Sequence, residues 1–95
     1  MQRITRAQAE TMARRLNESL GLPVECYAKD EASGKYIAQI GCIHIVSQCG
    51  ANNIYRLDNE SGGCQGLAYG LTIRECYEWL GAALVGVQLA RKYEV

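Results

Sequence analysis

The residues best suited to chemistry sit in the middle of the chain. Cys42-Ile43-His44, followed by Cys49 and Cys64, brings three thiols together with the single histidine of the sequence. Two chemistries use such a set. Zinc takes four nitrogen and sulfur donors converging tetrahedrally. Cys42 and His44 can be same-face neighbours on a strand, but Cys49 and Cys64 each stand alone, without the close Cys-x-x-Cys pairs of structural zinc sites. A Cys–His nucleophile needs a depressed thiol pKa, an orienting third group and an oxyanion site. No acid is placed behind His44. The expectation is a chain with no catalytic residues, no metal and no cofactor.

Residues 61–70, SGGCQGLAYG, run into a helix start. Backbone N–H groups of such a loop can cradle phosphate. The run has no strand-GxxxxGK[ST]-helix frame and no lysine inside it, so it reads as a compact connection that uses glycine for positive φ.

The elements around these residues follow from periodicity. Thr5-Arg6-Ala7-Gln8 is a capping box, with Ile4 placed to staple onto Ala9. Ala9, Met12, Ala13, Leu16 and Leu20 recur at helical steps, whereas Arg6, Glu10, Arg14, Asn17 and Glu18 lie off that stripe. Gly21 and Pro23 stop the run, which predicts a helix over 6–20. Thr72-Ile73-Arg74-Glu75 is a second capping box and heads a helix over 73–91. That helix is apolar on several sides and calls for cover on more than one.

Between the helices, 24–29 alternates as a strand, 30–34 is turn chemistry, and 53–58 is a further strand. The stretch 36–46, YIAQIGCIHIV, is apolar on both parities. At about 3.3 Å per residue it is longer than most strands. Gly41 marks either a bulge within one strand or a two-residue Gly41-Cys42 hairpin turn. The bulged strand is the reading adopted. The expected fold is a single α+β domain over 1–95, in the order α-β-β-β-α, with an antiparallel three-stranded or four-stranded meander and both helices on one face. Met12, Leu16, Leu20, Leu80, Leu84 and Val87 then pack on Ile40, Ile43, Ile45, Tyr55 and Leu57.

That arrangement leaves the far sheet face open. Ile37, Cys42, His44 and Val46 fall there, joined by Ile54 and Arg56 from the third strand. An open apolar face invites a partner, so these six residues form the expected interaction face and a homodimer the expected assembly.

Composition bounds the alternatives. Of 95 residues, 48% are hydrophobic and 21% charged, which is globular rather than disordered. No run reaches the roughly 18 apolar residues of a membrane helix, and no apolar h-region opens the chain. The expected home is the cytoplasm. Five cysteines without a secretory leader argue against a disulfide framework, and the thiols are expected to be free. Ten basic residues balance ten acidic ones, whereas phosphate-backbone binders usually carry a basic excess. The helix–strands–helix order is that of double-stranded RNA-binding domains, but those carry lysines where this chain has Thr72-Ile73-Arg74-Glu75. Nucleic acid is therefore the second choice of partner.

Several segments carry a resemblance. Leu16-Asn17-Glu18 with Gly21-Leu22-Pro23, Asn59-Glu60-Ser61-Gly62-Gly63, and a last helix headed by Thr72 and closing on Gly86-Val87-Gln88-Leu89-Ala90 look like elements of a group of small phage and prophage proteins of unassigned function. These motifs are helix ends and turns. The resemblance implies phage origin, a host-cell cytoplasmic setting and a host or phage protein as partner, and it implies no mechanism.

Overall fold

Both capping boxes close as expected in the computed structural model, which describes residues 3–93. Thr5 caps α1 (Arg6–Leu20): its hydroxyl accepts from the Gln8 N–H while the Gln8 side chain accepts from the Thr5 N–H. Thr72 and Glu75 do the same for α2 (Ile73–Lys92). Between the helices lie β1 (Tyr27–Lys29), β2 (Tyr36–Ala38), β3 (Ile43–Gln48), β4 (Ala51–Leu57) and β5 (Cys64–Leu71). The class is α+β as expected, with two antiparallel sheets, the hairpin β1-β2 and the meander β3-β4-β5.

The stretch 36–46 is neither one bulged strand nor a hairpin. It breaks at a tight turn in which the Cys42 N–H donates to the Gln39 carbonyl at 3.2 Å. Gly41 occupies the third turn position with φ +97°, a conformation that favours glycine. The strands on either side do not pair with each other. β2 pairs with β1, and β3 pairs with β4 in the register Ile45↔Ile54. The expected Ile40 core contact is lost with the strand, because Ile40 stands at the turn tip, 50% exposed.

The third meander strand is also unexpected. Residues 64–71, read as a connection, form β5. Its alternation is masked by two register shifts against β4. Residues 68–71 of β5 oppose 52–54, and then 66–68 oppose 54–55, so β5 carries an extra residue twice. Such bulges bend a strand and break its in-out pattern.

α1 and α2 lie side by side on one face of the meander and run the same way. Ala7 and Tyr77 line one crevice between them, and Ser19 and Gln88 line another. Ala9, Ala13, Leu16, Cys76, Leu80 and Leu84 bury against Ile43, Ile45 and Ile54. Leu20, expected in this core, ends α1 40% exposed. Tyr55 and Leu57 leave it too, because the register places them on the opposite face from Ile54. Leu57 is nevertheless fully buried, beneath a second small core of Ala38, Cys42 and Cys26. The β1-β2 hairpin thus folds over one end of the outer sheet face.

Candidate functional site

α1 presents a second working face, made from residues off its apolar stripe. β3 is an edge strand, and its outward peptide groups need partners. Asn17, 1% exposed, supplies two of them. Its Oδ1 accepts the Ile43 N–H at 2.9 Å, and its Nδ2 donates to the Ile43 carbonyl at 3.0 Å. One end of the helix further up, the Arg6 guanidinium donates to the Ile45 carbonyl at 3.2 Å and to the Ser47 hydroxyl. Arg6 is itself held by Glu10 at 2.8 Å. Side chains of α1 thus occupy the Ile43 peptide groups and the Ile45 carbonyl on this edge, which blunts it as a template for an added strand.

Between these two clamps lies a surface crevice of about 150 Å³, with Arg14, Asn17, Cys26 and His44 in its walls. Cys26 is disulfide-bonded to Cys42, with Cα atoms 5.3 Å apart. This corrects the expectation of five free thiols. The turn at 39–42 brings the two cysteines together, a proximity that their separation of 16 residues does not show. Cys42 is 1% exposed, and its Sγ accepts a hydrogen bond from Asn17 Nδ2 at 3.7 Å. The remaining cysteines are free, Cys49 and Cys64 exposed and Cys76 buried. Burial raises the Cys76 pKa, which keeps that thiol protonated. Cys42 has no thiol to offer a metal or a substrate while the bond stands.

The six residues of the expected interaction face do not share one surface. Ile54 is fully buried under the helices. Arg56 pairs with Ile43 and so lies on the helix side. Cys42 is buried in the disulfide, and Ile37 belongs to the other sheet, opposite Ala28. His44 and Val46 do lie on the outer face. There they meet residues that the sequence reading assigned elsewhere. Tyr55 is 6.3 Å from the His44 ring centroid and 5.9 Å, edge-on, from Tyr69. The Tyr55 hydroxyl accepts from Asn53 Nδ2. Tyr69 lies down over Gly66, where a Cβ would stand 1.5 Å from its hydroxyl oxygen.

A second exposed surface belongs to α2. Ala82, Val85, Gly86, Leu89, Ala90 and Tyr93 recur at steps of three and four, and all are exposed. Val85 is 53% and Leu89 51% exposed. Glu78 lies at the N-terminal end of this stripe, and Lys92 flanks its C-terminal end on the same side.

Among the described residues, no three His, Cys, Asp or Glu side chains converge as a metal site, and no helix is long and apolar enough to cross a membrane. Compared with known protein families, curated proteins and solved structures, the chain matches none.

Proposed function

We propose that this chain is a non-catalytic accessory module that acts through protein–protein contacts and self-associates through α2. The observation that carries the reading is the uncovered stripe from Ala82 to Tyr93, in which large and small residues alternate. An antiparallel two-fold meeting centred between Val85 and Gly86 is self-complementary. It sets Leu89 against Ala82 of the second copy and Val85 against Gly86, and it brings Glu78 beside Lys92. Small residues let helix backbones approach, and opposite charges on the flanks fix direction. Contiguous exposed apolar surface of this kind marks interaction sites. Phage or prophage origin, the host-cell cytoplasm and a host or phage protein as further partner rest on the resemblance of the helix ends and turns, and they belong to this proposal.

Light scattering and sedimentation equilibrium test the reading. A dimer is expected, and Val85→Glu should return it to monomer with an unchanged circular dichroism spectrum. A wild-type chain that stays monomeric at millimolar concentration would end it.

One observation favours a second reading, accessory binding of nucleic acid. Tyr55, Tyr69 and His44 form an aromatic patch on the helix-free face, and bases stack on such platforms. A salt-sensitive gel shift lost in Tyr69→Ala would support it. No shift at low salt would remove it, since phosphate contacts are strongest there.

A further inference from the structure

The Cys26–Cys42 disulfide differs at its two ends. Cys42 is sealed in the small core under the hairpin, whereas Cys26 is half-buried and opens onto the crevice beside Arg14 and His44. A thiolate arriving from solvent through the crevice meets Cys26. The leaving group is then the Cys42 sulfur, which already accepts a hydrogen bond from the buried Asn17 amide. Departure as thiolate is helped by a donor fixed in place before the reaction, because exchange is faster when the leaving thiolate is stabilised.

The bond also sits where breaking it has a consequence. The β1-β2 hairpin packs little on the rest of the chain beyond its base. There the Gln39 N–H donates to the Cys26 carbonyl at 2.8 Å and extends the hairpin's own ladder, while the disulfide and the Gly41 N–H donating to the Leu57 carbonyl at 2.8 Å tie that base to the rest of the chain. Ala38, on that hairpin, covers Leu57.

We infer that Cys26–Cys42 is an exchange site for a dithiol reductant, attacked at Cys26 with Asn17 positioning the departing Cys42 sulfur, and that its opening loosens the hairpin from Leu57. The first step forms a bond between a reductant sulfur and Cys26 Sγ and breaks the Cys26–Cys42 bond; Cys42 leaves with the electron pair and takes a proton from water. In the second step the reductant's other thiolate attacks its own sulfur in the mixed disulfide, closing a reductant disulfide and releasing Cys26, which is protonated in turn. Two electrons pass from the reductant to the chain. The free thiols Cys49 and Cys64 take no part. This inference rests on the crevice and the hairpin and stands apart from self-association through α2.

The test uses the intact oxidised protein. Brief exposure to the monothiol glutathione, acid quenching and peptide mapping locate the mixed disulfide. The adduct is expected on Cys26 over Cys42 by roughly tenfold or more, since accessibility decides which sulfur is attacked. An adduct on Cys42, or equal adducts, would overturn the attack assignment. Dithiothreitol should reduce the native protein at a rate that stays constant as low urea is added; a rate that climbs with urea in step with global unfolding would show that the bond opens only in the unfolded chain and would sink the site. Hydrogen exchange after reduction is expected to rise in residues 27–38 and to stay unchanged in α1 and α2. An unchanged hairpin would refute the loosening. Asn17→Asp should slow reduction per reductant thiolate at neutral pH and regain it in acid, where the protonated carboxyl donates again; a rate that is unaltered, or that rises as the weakened seam opens, would remove Asn17 from the positioning role.

Discussion

Replacing Asn17 by alanine puts the most weight on a single side chain. Asn17 is 1% exposed and gives both of its amide ends to one residue of β3. Truncation leaves the Ile43 N–H and the Ile43 carbonyl facing a cavity, with helix α1 still in the way of water. An unsatisfied buried polar group costs about 1–3 kcal/mol, so the two together cost about 2–6 kcal/mol. A domain of this size has about 5–15 kcal/mol in total. Asn17→Ala should therefore lower the urea midpoint strongly with little change in slope, because the surface exposed on unfolding is nearly the same.

Two further variants separate the causes. Asn17→Leu restores volume and leaves both peptide groups unpaired, so it should stay destabilised by a similar amount. Asn17→Asp keeps an acceptor for the Ile43 N–H but turns an oxygen toward the Ile43 carbonyl and buries a carboxylate. It should be at least as damaging at neutral pH and should recover partly in acid, where the protonated carboxyl becomes a donor. Glu18→Ala, one residue along and exposed, is the control and should stay within about 0.5 kcal/mol of the wild type. If Asn17→Ala also fell within that margin, the seam would be wet, and the account of how α1 closes the β3 edge would be wrong.

Further outcomes follow from the same geometry. Leu89 is 51% exposed; covering that half is worth about 1 kcal/mol per copy, so Leu89→Ala should weaken a dimer by roughly 30-fold in sedimentation equilibrium. Replacing both Cys26 and Cys42 by serine opens a loop of 16 residues and should cost about 3 kcal/mol in urea denaturation without reductant. Glu75 has its pKa lowered, first by its hydrogen bond with the Thr72 backbone and then by the Thr72 side chain. Its folded pKa lies below the unfolded value of 4.5, so its contribution is present above that pH and is lost as pH falls through the folded pKa. Glu75→Gln should flatten the acid side of the stability profile, read by circular dichroism.

What the sequence disclosed and what it hid divide along a physical line. Both helices were legible because their signals are local: a threonine with Gln8 or Glu75 three residues on, and apolar steps of three and four. The strands depend on conformations that no periodicity records. Gly41 at φ +97° turns one apolar run into two strands of different sheets, and the two extra residues in β5 scramble an alternation that would otherwise announce a strand. The site residues were hidden for a related reason. Asn17 sits among charged neighbours on α1 and reads as solvent-facing, yet it is buried because an edge strand has peptide groups to satisfy, a need that exists only after folding. Cys26 and Cys42 meet through the same Gly41 turn, so a misread turn also concealed the disulfide. The surplus apolar surface of α2 was visible from the start, since a helix apolar on several sides asks for cover on more than one. The sheet covers one side, and the stripe from Ala82 to Tyr93 remains uncovered by the chain's other elements. The sheet face, by contrast, carries less exposed apolar surface than the sequence implied, because the hairpin folds over Leu57 and the register turns Ile54 inward. The self-association proposed above therefore rests on the helix rather than the strand, and a charge at Val85 is the substitution that tests it.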